Sequence, residues 1–228
     1  MAGSRPHTAR RTASCLECNI QTSFDERCGQ SLPTMTDPAQ RIPQITEADR
    51  TDEVRRMFAA MAGLSPDSID HNHVLKTFAQ YPALTQPFLQ FNRHLLSTSL
   101  LPVRLRQIAI LRVAWSRPAR YMWASHLRMS LRLGLTREDF EAVKRGPAAA
   151  HWSDIERTIL RAVDQLCERS DLDDQHWDAL AAHLDRRQIM DLVFTVGAYI
   201  LLALAFNSMR IRREPELQAL AEQYGSPC

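Results

Sequence analysis

Residues 101–135 read LPVRLRQIAILRVAWSRPARYMWASHLRMSLRLGL. Two helices are written into this stretch. Pro102 suits the first turn of a helix over 103–116, because a proline there gives up only an amide that would lack a helical partner anyway. A second helix spans 118–133. It stops at Gly134, where Leu133 and Leu135 flank a residue suited to the left-handed C-terminal turn. On this second helix, positions 119, 122, 126, 129 and 133 share one face. They are Ala119, Met122, His126, Met129 and Leu133, an apolar stripe holding one imidazole.

The same signals extend in both directions. Upstream, a helix is expected from Glu47 to Met61, with Val54, Met57, Phe58 and Met61 three and four apart and Gly63 as a stop. Residues 71–80 and 83–98 read as two more, broken at Tyr81-Pro82. Downstream, Thr136 caps a short helix to about Lys144, Gly146-Pro147 breaks the chain, and Ser153-Asp154-Ile155-Glu156 is a capping box opening 154–169. A helix over 174–184 follows, then one opened by Asp185-Arg186-Arg187-Gln188. This last helix is almost uninterruptedly apolar from Ile189 to Phe206, about the ~20 residues a membrane span needs. Asp191, Gly197 and its amphipathic neighbours favour a central helix buried on all sides. No stretch alternates with period two for long. The class is all-α.

Composition narrows the function. The chain has 228 residues, 45% hydrophobic against 24% charged, which excludes whole-chain disorder. A net charge of +2 gives no argument for nucleic acid or an anionic membrane as partner. The helix–Gly–helix at 118–145 superficially resembles a DNA-reading motif. Its second helix, however, opens with Glu138, Asp139 and Glu141, which would repel phosphate. Residues 1–34 lack helical periodicity and read as a disordered tail, or as a start misassigned ahead of Met35. The folded domain is expected over 35–228.

Cysteine placement is informative. Cys15, Cys18 and Cys28 crowd the beginning, and Cys167 and Cys228 are far apart. That is no secreted disulfide framework, so a cytoplasmic location is expected. Cys15 and Cys18 form a C-x-x-C, but no helix follows to lower a thiol pKa and no second pair completes a metal tetrahedron. It reads as incidental to the tail. His71-x-His73 does not place two ligands on one helix face, so no metal is expected.

The segment from LPVRLRQIAILRVAW through RYMWASHLRMSLRLGLT resembles the carboxymuconolactone decarboxylase family, which includes the alkylhydroperoxidase D branch. Supporting similarity runs upstream through HVLKTFAQYPALTQPFLQFNRHLL and downstream through DLVFTVGAYILLALAFNS, covering most of 70–210. The resemblance implies an alkylhydroperoxidase D-like helical bundle, a homo-oligomer (trimer or hexamer) and no cofactor. The family's redox branch carries Glu-x11-Cys-x2-Cys-x3-His. Here those positions are Gln107, Ala119, Met122 and His126. The spacing is kept and three of the four functional residues are gone. Without two thiols a dithiol peroxidase cycle has neither an attacking nor a resolving sulfur. The decarboxylase branch carries Glu-x11-Cys-x2-Glu-x3-His, and both of its carboxylates are replaced here as well.

The resemblance therefore implies cofactor-free lyase or proton-transfer chemistry on a small carboxylated lactone, β-keto acid or aromatic-degradation intermediate. His126 is expected as proton donor and Gln107 as its neutral orienter. Arg104, Arg106 or Arg112 is expected to hold a substrate carboxylate if it turns inward. Ala119, Met122, Tyr121, Trp123, Trp115, His94 and Tyr199 are the expected lining, with Asn207 a further polar exception on the last helix. Two rivals stand beside this reading. One is a peroxidase using Cys15 and Cys18, and the other a non-catalytic relative that kept the fold for binding or assembly.

Overall fold

A computed structural model describes residues 39–59 and 72–228. All of these fall in the compact unit Pro38–Cys228. The expected tail, the C-x-x-C, Met61, Gly63 and His71 lie outside the described residues. Among the described residues ten α-helices follow in order: α1 (Asp52–Ala59), α2 (His73–Phe78), α3 (Pro82–Arg93), α4 (Val103–Ser116), α5 (Arg120–Arg132), α6 (Arg137–Arg145), α7 (Asp154–Arg169), α8 (Asp174–Ala181), α9 (Arg186–Met209) and α10 (Pro215–Tyr224). Among the described residues there is no strand. The all-α expectation holds.

The boundaries follow local chemistry. Thr136, Ser153 and Asp185 each open a helix with a reciprocal capping box, their partners being Asp139, Glu156 and Gln188. Gly134 closes α5 at φ +86°, a conformation that a Cβ would strain. Two expected helices are interrupted. The one over 47–61 becomes a 3₁₀ turn at Glu47–Asp49 followed by α1. The one over 83–98 ends as α3 and widens into a π turn at His94–Thr98. Asp191 of α9 imposes that ending. Its Oδ2 accepts hydrogen bonds from Ser99 Oγ (2.9 Å) and the Leu100 amide (2.6 Å), pulling the chain off the helical path.

The central helix is α4, not α9. Every residue from Leu105 to Leu111 is buried, and α5, α6, α7 and α9 pack around it. α9 buries one side, through Ile189, Leu192, Val196, Tyr199, Leu202 and Phe206. Met190, Phe194, Leu201 and Leu204 stand more than half exposed on the other. α9 is long and apolar enough to cross a membrane by length and composition, yet here it closes one side of the bundle. A smaller cluster of Ile45, Val54, Met57, Phe58, Leu75 and Ala79 sits beneath α1. α10, absent from the sequence reading, packs on α5; its signal is Pro215 in the first turn with Leu217 and Ala221 spaced by four.

At its N-terminal end, α4 is anchored to the starts of both α6 and α7 by one guanidinium. Arg104 Nε donates to Glu156 Oε1 at 2.6 Å, and its NH2 donates to Asp139 Oδ1 at 2.6 Å. Asp139 and Glu156 are the capping carboxylates of α6 and α7, so one side chain ties down two helix starts. Burial alone would raise the pKa of Asp139, but hydrogen bonds from Arg104, His151 and the Thr136 amide hold it well below the carboxylate range. Arg104→Ala leaves both carboxylates short of a donor. Because Arg104 is itself 43% exposed, the expected loss is about 2 kcal/mol. For a domain of this size that lowers Tm by roughly 4–8 °C. Calorimetry on the two proteins checks this, and an unchanged Tm removes the anchor role.

Candidate active site

α4 and α5 bring Gln107 and His126 together. His126 Nδ1 lies 3.1 Å from Gln107 Oε1, and Ser130 Oγ donates to the same oxygen at 3.2 Å. Gln107 Nε2 points to Met129 Sδ at 3.3 Å. Ser130 follows His126 by four residues, one turn along the same face. With the amide oxygen accepting, the imidazole proton resides on Nδ1 and Nε2 keeps its lone pair. Burial pushes the His126 pKa down to about 3, with the nearby Arg106 charge adding to the shift. The ring is therefore neutral at pH 7. In this state Nε2 is the nitrogen with a lone pair available to a proton.

The Tyr199 ring meets His126 edge-on, with centroids 5.0 Å apart. Burial raises the pKa of its phenol and Arg106 opposes that rise, so Tyr199 stays protonated. Arg106, 5% exposed, donates through NH2 to Leu96 O at 2.9 Å, while its Nε has no partner. Of the three candidate arginines only this one turns inward. Arg104 is held by Asp139 and Glu156, and Arg112 by Asp164 at 2.6 Å and the Val143 carbonyl. Burial lowers the pKa of Arg106, and the fields of Tyr199 and Asp191 oppose the shift. Between those two residues on α9, one turn from each, lies Thr195, fully buried with Oγ1 unpartnered. The sequence reading missed Thr195 and Ser130; the signal for Thr195 was a hydroxyl four residues before Tyr199 in an apolar run.

The remaining expected site residues are dispersed. Ala119 and Met122 are buried on the His126 face, but Met129 and Leu133 carry that stripe out to the surface at 36% and 47% exposure. Tyr121 lies five residues before His126, roughly 140° round the helix. Its hydroxyl donates to Glu214 Oε1 at 2.8 Å, away from the imidazole. Trp123 donates to the Gly225 carbonyl (2.8 Å) and packs on Trp115 (4.9 Å), so both serve the C-terminal segment. His94 is exposed, with Nδ1 2.8 Å from Thr98 Oγ1 and Nε2 3.5 Å from Asp191. Asn207 is exposed and donates to the Arg117 and Pro118 carbonyls. Geometry separates these residues because a helix face covers only part of the circle. Cys167 is free and buried, and burial raises its thiol pKa, the reverse of what an attacking thiolate needs. Among the described residues no cluster of three potential metal ligands occurs.

With this geometry in place, comparison with known proteins is specific. Residues 82–165, from the start of α3 into α7, match the carboxymuconolactone decarboxylase family. Over that segment the chain is similar to the carboxymuconolactone decarboxylase family. Among solved structures, it is similar to the alkylhydroperoxidase AhpD core of a peroxidase-related protein from Ralstonia eutropha JMP134. The identity is 19%, over 79% of this chain and 95% of that one, with a TM-score of 0.63. A peroxidase-related protein from Silicibacter sp. TM1040 is similar at 17% identity, 84% and 98% coverage and TM-score 0.65. The debrominase Bmp8, as a cysteine-to-alanine variant in complex with 2,3,4-tribromopyrrole, gives 18%, 82% and 99%, and 0.64. At these identities the likeness establishes the alkylhydroperoxidase D-like fold. Among curated proteins, none matches this chain.

The buried imidazole makes a prediction about acid stability. Its folded pKa lies below the ordinary value of 6.5, so the unfolded chain takes up the proton first as pH falls. Stability from this group is therefore complete above pH 6.5 and declines as pH drops from 6.5 toward 3, by at most about 1.4 kcal/mol per pH unit. Between pH 6.5 and 5 ordinary carboxylates remain ionised, so the slope there reports histidine. Chemical denaturation across that interval should show a smaller slope for His126→Gln than for the unmodified protein. Equal slopes would place the acid sensitivity elsewhere.

Proposed function

We propose that this protein carries out cofactor-free lyase or proton-transfer chemistry on a small carboxylated lactone, β-keto acid or aromatic-degradation intermediate. The observation behind this reading is the fixed tautomer of His126. Nδ1–H is committed to Gln107, which presents Nε2 as a neutral base beside Arg106 and Tyr199. A base placed so takes a proton from carbon next to a carbonyl, and the electron pair passes to the carbonyl oxygen as an enolate. Hydrogen bonds from Arg106 and the protonated Tyr199 stabilise that oxygen, and the imidazolium returns its proton to carbon. In a decarboxylation the C–C bond breaks instead, CO2 leaves, and the enolate keeps the pair. His126 then needs its proton beforehand, which an anionic substrate favours by offsetting the Arg106 charge.

One observation favours the non-catalytic reading: Gln107 satisfies His126 within the core without any substrate. A thermal-shift panel of lactones, β-keto acids and peroxides, run on the unmodified protein and on His126→Ala, separates the two. Catalysis predicts that one lactone or keto-acid class raises Tm in the unmodified protein only. On the stabilising compound, His126→Ala should lower turnover at least roughly a hundredfold. If no compound shifts Tm, or turnover survives the substitution, the assignment fails.

A further inference from the structure

Arg106 is only 5% exposed, and no carboxylate among the described residues makes an ion pair with it. NH2 donates to the Leu96 carbonyl in the π turn at His94–Thr98, and Nε has no partner. Asp191, the acid whose field reaches this guanidinium, is committed elsewhere. Its Oδ2 accepts from Ser99 Oγ and the Leu100 amide, and its Oδ1 lies 3.5 Å from His94 Nε2. A buried cation without a counter-charge is far costlier than an unpaired neutral group.

α9 brings a second unanswered group to the same region. Thr195 is fully buried in a helix that packs on α4, α5 and the π turn, and its Oγ1 has no partner. The Arg106 charge acts on both Asp191 and Tyr199, which stand one turn before and one turn after Thr195. The guanidinium therefore faces the strip of α9 that holds the Thr195 hydroxyl. Tyr199, whose ring meets His126 edge-on at 5.0 Å, carries this strip on to the imidazole. Both unpaired groups can donate a hydrogen bond, and one of them is charged. A water molecule would serve the hydroxyl but would leave the guanidinium charge uncompensated.

We infer that the buried Arg106 guanidinium and the Thr195 hydroxyl hold one carboxylate of the substrate, and that this carboxylate is kept in the product. The inference rests on the base role of His126 for the reaction, though not for the binding. One guanidinium matches one negative charge, and the field of Asp191 opposes a second. The site therefore selects a monocarboxylate over a phosphate ester or a neutral lactone. Retention follows from the same ion pair. Loss of CO2 drains negative charge from the carboxylate, so a guanidinium fixed on it stabilises the ground state over the transition state. Proton transfer leaves that charge in place. Nε2 of His126 takes a proton from carbon, the C–H electron pair moves to a separate carbonyl oxygen, and the imidazolium returns the proton to a carbon of the resulting enolate. With the carboxylate on Nε and Thr195, the Tyr199 phenol and the remaining guanidinium protons are left for the carbonyl oxygen. The substrate class is thus a keto acid or lactone acid that is isomerised.

Isothermal titration in chloride-free buffer at neutral pH tests the site with acetate, the neutral acetamide and the dianion sulfate. Acetate is expected to bind with a Kd on the order of 1 mM, within what so few atoms can supply. Acetamide and sulfate should bind roughly tenfold more weakly or less, because each leaves a donor or a charge unmatched. Thr195→Val keeps the shape and removes the hydroxyl. It should weaken acetate roughly tenfold or more while leaving Tm unchanged or higher, since the free protein loses no hydrogen bond. A hydroxyl that serves only the fold predicts the opposite, a lower Tm with acetate binding intact. Arg106→Gln should abolish binding, and should it unfold the chain, Thr195→Val alone decides. The inference falls if acetate does not bind, if acetamide or sulfate binds equally well, or if Thr195→Val leaves the affinity unchanged. On any keto acid or lactone acid turned over, an isotope label in the carboxylate should stay in the product; its release as CO2 overturns retention. Thr195-dependent acetate binding without turnover keeps the site and fells the proposed chemistry. His126-dependent turnover without acetate binding does the reverse.

Discussion

From Leu105 to Leu111, α4 has no solvent face, yet the helix carries Arg104, Arg106, Gln107 and Arg112. A polar group taken out of water must find a partner or leave its desolvation uncompensated, at about 1–3 kcal/mol for a neutral group and more for a charge. The rest of the bundle is arranged around that demand. Arg104 reaches the capping carboxylates of α6 and α7, Arg112 takes Asp164 and the carbonyl end of α6, and Gln107 takes His126 and Ser130 from α5. Of these four only Arg106 is left incomplete, and on α9 the buried Thr195 Oγ1 is unpartnered as well. The guanidinium left incomplete is the one whose charge acts on the His126 imidazole.

That coincidence shapes the chemistry. A histidine buried beside a guanidinium loses its positive form twice over, first to desolvation and then to like-charge repulsion. A glutamate at position 107 would have reversed this, since a carboxylate against Nδ1 stabilises the imidazolium. Gln107 keeps the hydrogen bond and the orientation and drops the charge. An amide and a carboxylate at this position can accept the same hydrogen bond while favouring different proton states of the ring.

Much of the architecture was legible in the sequence. Capping boxes at Thr136, Ser153 and Asp185, the stop at Gly134 and the Tyr81-Pro82 break are local devices whose partners lie within a turn. The pairing of Gln107 with His126 was legible too, through spacing that resembles a family pattern. Elements set by distant contacts were not. Asp191 ends the α3 region from 92 residues away, and α9 looks uniformly apolar in sequence although Met190, Phe194, Leu201 and Leu204 are exposed. Of the expected lining, Tyr121 and Trp123 turned to Glu214 and Gly225, because α10 and the C-terminal segment supply acceptors there. Hydropathy counts such residues as core without saying which part of the core they fill.

The sequence by itself determined the helical class, the helix ends set by local caps and breakers, and the absence of both motif cysteines, because each depends on residue identity at fixed short spacing. Tertiary structure alone decided which of three arginines faces inward, which tautomer His126 holds and which face of α9 stays exposed. Those outcomes depend on what packs opposite each side chain. Opposition across a bundle joins residues as far apart as Arg106 and Tyr199, a relation no local spacing encodes.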